Sequence, residues 1–427
     1  MALEPLLGMV FQTRVLPAPA NQDFGRFKDP ETLETWKVVS ELAPLHEAAE
    51  HLKSSSIPVG FPTETVYGLG ADATRSDAVK GIYKAKGRPT DNPLIIHVSD
   101  LTMLRSYLLP AEGEADPIPN IYRPLIKRFW PGPLTILLPN PKPSKLAPEV
   151  TAGLSSFGAR MPSSPLALSL IQLAGVPIAA PSANASTKPS PTTAEHVRYD
   201  LDGKIEIILD GGPCQVGVES TVVDGLCDPP VVLRPGGISI DKIRECKGWE
   251  LVEKGYKDAS EVGSAAPKAP GMKYKHYSPK AKVVLYEASF VSNASDVEVG
   301  ILKNATTNVY PSIGIVRTKT WAEWAGIFQS TQNLRASYRY DSDISKYAGT
   351  MRCGVLQSQH RKLANLFEVT LGTDTSSIAH SLFSALRALD HEGVQTIYVE
   401  GVKDSEEGSI AEAVMNRLRK AATIIKT

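Results

Sequence analysis

Ile57-Pro58-Val59-Gly60-Phe61-Pro62-Thr63-Glu64-Thr65-Val66-Tyr67-Gly68-Leu69-Gly70 begins as an apolar run and passes at once into a turn rich in hydroxyls and glycine. Residues 57–61 read as a strand and residues 62–70 as the loop at its end. Three more segments repeat this composition: Lys86-Gly87-Arg88-Pro89 with Asn92-Pro93-Leu94, Pro181-Ser182-Ala183-Asn184, and Leu233-Arg234-Pro235-Gly236-Gly237. Each sets hydroxyls, glycines or a cation in a loop beside an apolar run. Backbone amides, hydroxyls and guanidinium groups are the chemistry that surrounds phosphate oxygens. Four such loops predict a single anion-binding cleft built from several strand ends.

Around these loops, short strands are expected at 94–98, 134–138, 176–180, 205–209, 220–223 and 231–233, from apolar runs bounded by turn residues. Ser76 or Asp77 can cap a helix that places Ala78, Val79, Ile82 and Ala85 on one face. A helix over 166–174 is closed by Gly175, and Thr192 with Glu195 reads as a capping box. Helices and strands mix without strict alternation, so the expected sheet is mixed and twisted. Residues 1–35, with Pro17 and Pro19, read as an irregular N-terminal extension. The catalytic domain is expected over 36–248. Residues 249–280 have linker composition, including Pro270, Gly271 and Pro279. Beyond them, strands at 282–286, 367–371 and 396–400 and helices at 376–391 and from 409 predict a smaller α/β domain over 281–427 with a largely parallel sheet.

At 427 residues and 42% hydrophobic content, the chain is long enough for two or three domains. Its 46 basic and 46 acidic residues balance, which argues against a generally basic nucleic-acid binder. Four scattered cysteines read as reduced intracellular thiols, and no apolar run reaches the ~20 residues of a membrane span. Gly68-Leu69-Gly70-Ala71 is a weak dinucleotide-like pattern behind a polar loop, and no GxxxxGK[ST] or GxSxG motif occurs. His97 ends an apolar strand with no second His or Cys at metal-ligand spacing, so no protein metal site is expected. Lys84, Lys86 and Arg88 at a helix end fit either dipole complementation or a phosphate clamp. Arg160 and Arg234 at strand ends suit a carboxylate and a phosphate.

The full motif set resembles the YrdC/Sua5 family, the threonylcarbamoyl-AMP synthases, in its long two-domain form. The segments above, together with Trp130-Pro131-Gly132-Pro133-Leu134-Thr135 and Gly217-Val218-Glu219-Ser220-Thr221-Val222-Val223-Asp224, follow the family's order and approximate spacing. The resemblance is strong over 40–245, and the segment 269–279 is similar to the family's interdomain linker. It implies a YrdC-like twisted mixed sheet, then a linker acting as a lid over the active site, then a smaller Rossmann-like Sua5 domain. It implies condensation of L-threonine, bicarbonate and ATP into threonylcarbamoyl-AMP and pyrophosphate, with Mg2+ accompanying the ATP. The product would pass to a separate threonylcarbamoyl transferase complex for the t6A modification of tRNA. Carried onto this sequence, Lys86 and Arg88 are the catalytic cations, and Thr65, His97, Arg160, Ala180 and Ser220 hold threonine. Lys86, Arg88, Asn92, Ser156, Ser182, Ser190, Arg234 and His276 hold ATP. A cytoplasmic place of action is implied, with a mitochondrial pool left open by Arg14 and Arg26. A weak tRNA or RNA contact is left open; an RNA-binding module is the rival reading from another class, and a hydrogenase-maturation carbamoyl-transfer domain a second, disfavoured by the lack of clustered cysteines.

Overall fold

A computed structural model describes residues 12–109, 115–256, 276–288, 310–326, 339–340, 351–358, 361–404 and 410–427. Among them, eleven short strands form one mixed sheet. Its middle runs, neighbour to neighbour, through Val59–Phe61, Gly68–Asp72, Ile178–Ala179, Ile95–His97, Ser156–Arg160, Leu134–Pro139, Thr221–Asp224 and Val231–Arg234. The strands beside the predicted loops therefore belong to one sheet. Val59–Phe61 and Gly68–Asp72 pair antiparallel, so residues 62–67 are the connection between two core strands. Gly70 is required there: a Cβ would come within 2.8 Å of both Ile178 and Phe61.

The helix expected after residue 76 spans Ser76–Lys86 and buries Ala78, Val79, Ile82 and Ala85. Its cap is Arg75, with no side-chain cap bond. Ser76 instead donates to Glu149 Oε1 at 2.7 Å. Gly87, in the left-handed conformation at φ 61°, ends the helix and turns Arg88 out of its path. The helix after the 181–191 loop is Ala194–Leu201, capped by Thr193 rather than Thr192. Thr192 is drawn away by a 2.8 Å hydroxyl contact with Ser384 in the C-terminal half, a partner that local sequence does not show.

Two expected boundaries move. Residues 1–35 are not wholly irregular: Arg14–Pro17 is an edge strand paired parallel with Ile207–Asp210, and Gly25–Phe27 pairs with Trp36–Val38. Pro17 is tolerated because it lies on an edge strand. The linker does not begin at residue 249. Trp249 is fully buried, donates to Ile121 O at 2.8 Å, and leads into Glu253–Lys254, which pairs with Val231–Arg234. Of the expected lid, residues 257–275 lie outside the described residues, whereas His276 to Lys280 are placed.

Among the described residues, the C-terminal sheet has seven strands. Its parallel part runs through Arg361–Thr370, Ser312–Arg317, Thr396–Glu400, Lys282–Tyr286 and Ile424–Lys426. Met351–Ser358 pairs antiparallel with Arg361–Thr370, and Arg339–Tyr340 lies beyond it at the edge; the sequence reading missed both. Helices Thr375–His391 and Ala411–Ala421 pack on one face. Their apolar side chains share a core with Val66, Val218 and Tyr277, so the two domains are joined by continuous packing. Gly217 sits at that junction with φ 81°, and a Cβ on it would collide with the backbone of Ala379 and His380. Gly217→Ala is expected to cost roughly 2 kcal/mol or more through strain and displaced packing. An unchanged denaturation midpoint would contradict this account of the interface.

Candidate active site

The four loops line one cleft, the concave kind of site in which small molecules bind. Residues 62–66 are fixed by Thr63, whose hydroxyl donates to Val66 O at 2.7 Å and accepts from Thr65 and Val66 amides. This turn presents Thr65 Oγ1 to Arg160, whose Nη1 donates to it at 2.9 Å. Strand register sets Arg160 beside His97. Arg160 also donates to Glu64 Oε1 and to Gly132 O. The Trp130–Thr135 segment thus supports the same guanidinium. Ala180 follows on the neighbouring strand, its amide donating to Ile95 O at 3.0 Å.

Next to this group stands Ser220. Its hydroxyl lies 2.8 Å from Thr135 Oγ1 and accepts from Arg234 Nη2 at 3.1 Å. Arg234 grips Ser220 O with Nε at 3.1 Å and Nη2 at 2.9 Å. Across the cleft, Lys86 at the helix end donates to Ser182 O and, at 2.6 Å, to Asn184 O. Arg88 donates to Pro93 O at 3.1 Å. Ser190 donates to Glu219 Oε1 at 2.5 Å. His276 and Tyr277 complete the lining. Tyr277 is stacked on Phe383 with ring centres 5.3 Å apart.

Five cations line the cleft, Lys86, Arg88, Arg160, Lys188 and Arg234, against one carboxylate, Glu219, among the described residues. Burial works against the charges of Lys86, Arg88 and Arg234. It pulls Lys86 well below its ordinary pKa, with Arg88 adding to the effect, and lowers Arg88 to about 10. Burial, reinforced by Arg160 at His97 and by Arg88 at His276, brings both imidazoles to about 3. Both are therefore neutral hydrogen-bonding groups near neutral pH. Arg88 Nε, His97 Nδ1, Ser186 Oγ and His276 Nε2 are buried without a hydrogen-bond partner. Such orphaned polar atoms in one cleft indicate groups that a ligand satisfies.

Of the residues expected to bind, Thr65, Lys86, Arg88, His97, Arg160, Ala180, Ser182, Ser190, Ser220, Arg234 and His276 share this cleft. Asn92 and Ser156 are not part of its lining. Asn92 lies behind Arg88, its carbonyl accepting from Tyr83 Oη at 3.0 Å. Ser156 opens the strand that ends at Arg160, four residues away, or about 13 Å along an extended chain. Sequence reading assigned no role to Glu219, Asn184 or Lys188, although the first two stand inside quoted motifs. Glu219 could have been noticed as the acidic residue between Gly217 and the Ser220 hydroxyl.

Two family models cover nearly all of the chain. Residues 52–236 match the Sua5/YciO/YrdC model, which carries the description telomere recombination. Residues 238–423 match the threonylcarbamoyl-AMP synthase C-terminal domain. The threonylcarbamoyl-AMP synthase of Schizosaccharomyces pombe is 46% identical over 401 residues, 89% of this chain and 88% of that one. The chain belongs to the threonylcarbamoyl-AMP synthase family. The Bacillus subtilis member is 43% identical over 88% of this chain and 92% of its own. The crystal structure of Pyrococcus abyssi Sua5 complexed with L-threonine superposes with a TM-score of 0.70 at 40% identity, covering 90% of this chain and 96% of that one. Family membership makes the chain a nucleotidyltransferase-type enzyme with a YrdC-like domain followed by a Sua5 domain. No helix among the described residues is long and apolar enough to cross a membrane.

The depressed pKa of His97 has a measurable sign. Unfolded, this imidazole titrates near ~6.5, whereas folded it stays neutral down to about 3. The unfolded chain then binds the extra proton, so its contribution to stability is whole above about pH 6.5 and is lost as pH falls toward 3. His97→Gln is expected to flatten the dependence of unfolding free energy on pH between about 6 and 4.5 by close to one proton, about 1.4 kcal/mol per pH unit. Urea titrations at several pH values measure this. An unchanged slope would mean that His97 protonates in the folded state.

Proposed function

We propose that the enzyme condenses L-threonine, bicarbonate and ATP into threonylcarbamoyl-AMP and pyrophosphate, for t6A formation at position 37 of tRNA by a separate transferase complex. One observation carries this reading: the group Arg160, Thr65 and His97 adjoins, through Ser220, the cation Arg234, and faces Lys86 and Arg88 across one cleft. A carboxylate-binding arginine beside a polyphosphate-binding set suits an amino acid placed against a nucleotide. The relative from P. abyssi has been crystallised with L-threonine, which supports the same assignment.

Threonine would set its carboxylate on Arg160, where the planar fork is held by Thr65, Glu64 and Gly132. Neutral His97 and the hydroxyls of Thr65 and Ser220 would receive the amine and side-chain hydroxyl. Bicarbonate and the amine give a carbamate with loss of water. A carbamate oxygen then attacks the α-phosphorus, the new P–O bond forms, and the bond to pyrophosphate breaks. The attacking group belongs to the substrate, so the protein's work is positioning and neutralising charge. Lys86, Arg88 and Arg234 would draw charge from the phosphate oxygens, while Ser182, Ser190 and His276 supply neutral hydrogen bonds. We assign Asn92 to the support of Arg88, and Ser156 to the opening of the strand that ends at Arg160.

Mg2+ fits only as a companion of the triphosphate. Among the described residues no three His, Cys, Asp or Glu side chains converge, and Glu219 is engaged by Ser190 and Arg417. The ion's ligands would be phosphate oxygens and water, as suits its hydration chemistry. The four cysteines form no disulfide among the described residues, which fits a reducing compartment, and we place the reaction in the cytoplasm.

The direct test is mass spectrometry of purified enzyme with all three substrates. Threonylcarbamoyl-AMP and pyrophosphate are expected together, and both are expected to vanish when bicarbonate or threonine is withheld. Pyrophosphate release without either would overturn the reading. Arg88→Ala is expected to lower kcat/KM for ATP by at least about 30-fold, the loss of roughly 2 kcal/mol for a charge-assisted contact. Near-normal kinetics in a folded variant would remove Arg88 from the site.

A further inference from the structure

Glu219 is an odd residue to find in a cleft for a polyanion. Its carboxylate lies in the wall, where an unopposed negative charge would repel phosphate. Burial favours its neutral form, yet Arg417 and Arg234 together hold its pKa below the ordinary carboxylate range. It is therefore ionised near neutral pH. The decisive partner is Arg417, from helix Ala411–Ala421 of the C-terminal domain and 198 residues away in sequence. Arg417 has no exposed surface. Its Nε donates to Glu219 Oε2 at 2.9 Å and its Nη1 to Pro235 O at 2.6 Å, next to Arg234. Its guanidinium also lies 5.5 Å from the centre of the Tyr277 ring. The other Glu219 oxygen accepts from Ser190. One side chain of the second domain thus reaches three segments of the cleft wall.

Stability alone gives a weak reason for this pair. Burying two charges costs desolvation that their attraction often only offsets, and an apolar pair of equal volume is commonly as stable. Its place beside the cleft gives a better reason. We propose that Arg417 is a positioning residue for ATP, acting through Glu219. It cancels the carboxylate's charge, so that Glu219 can orient Ser190 without repelling the nucleotide, and it fixes the Pro235 backbone that precedes Gly236. The C-terminal domain thereby completes the nucleotide wall of the catalytic domain. This inference rests on the proposed use of ATP.

The test compares steady-state KM for ATP and for threonine in the full-length enzyme and its variants. Arg417→Met leaves Glu219 unopposed and is expected to raise the ATP KM about tenfold or more, with the threonine KM within about twofold of its starting value. Arg417→Lys keeps the charge but not the forked contacts and is expected to fall between the two. Glu219→Gln combined with Arg417→Met removes both charges while keeping an acceptor for Ser190. It is expected to bring the ATP KM back to within about threefold of the wild type. Arg419→Met is the control for damage to the helix: Arg419 pairs with Glu287 and Asp404, away from the cleft, and its loss is expected to leave both KM values unchanged.

A wild-type ATP KM in Arg417→Met would overturn the proposal. So would a double variant as impaired as the single one, since the effect would then be lost packing. If the single variant does not fold, the double variant, which holds no lone buried charge, decides alone: folded protein with near-normal ATP KM supports the proposal, and anything else overturns it. A wild-type enzyme without ATP-dependent product would instead refute the functional reading, before any variant is compared.

Discussion

Lys86 and Arg234, both buried, and the half-buried Arg88 are cations held largely by backbone carbonyls, whereas the buried Arg160 also pairs with the Glu64 carboxylate. Lys86 donates to Ser182 O and Asn184 O, Arg88 to Pro93 O, Arg160 to Gly132 O and Arg234 to Ser220 O. Carbonyls satisfy donors without cancelling charge, so although Glu64 offsets Arg160, the cleft keeps an excess of positive charge. The other features of the site depend on this. Loops must bring carbonyls to the cations, and their proline, glycine and serine content bends the chain to do so. Gly87 in its left-handed conformation separates Lys86 from Arg88, so two cations from one helix end reach different carbonyls. Burial, with the field of these cations added to it, keeps His97 and His276 neutral.

The sheet makes the convergence possible. Strands Ile95–His97 and Ser156–Arg160 pair in parallel, placing a neutral imidazole beside a guanidinium at the same level. Thr221–Asp224 and Val231–Arg234 bring Ser220 and Arg234 alongside. The C-terminal domain then closes one wall. Phe383 stacks on Tyr277, Arg387 meets Pro189 O and Asp200, and Arg417 meets Glu219. Binding of a polyanion and association of the two domains draw on the same few segments, 187–192 and 215–219.

Much of this was legible because local chemistry announces it. The apolar runs at 282–286 and 396–400 are strands over those residues. Gly175 closes its helix in the left-handed conformation as a C-terminal glycine does. The loops quoted first in the sequence do meet in one cleft, since their hydroxyls and cations have no apolar role. What escaped depends on distant partners. Arg14–Pro17 becomes a strand only because Ile207–Asp210 offers an edge. Thr192 leaves its capping position for Ser384, and Glu219 acquires its significance from Arg417. No periodicity or spacing records such pairings. Trp249, read as linker, is core because Tyr122 and Ile121 receive it.

The central claim is that one cleft holds threonine and the triphosphate side by side, the carboxylate on Arg160 and the phosphates on cations held mainly by backbone carbonyls. A crystal structure of the enzyme with L-threonine and a non-hydrolysable ATP analogue tests it most directly. The expected result places the threonine carboxylate on Arg160 and phosphate oxygens on Lys86, Arg88 and Arg234, with the amine facing the α-phosphate. Threonine bound away from Arg160, or phosphates bound outside the cleft with those three cations still on their carbonyls, would contradict it.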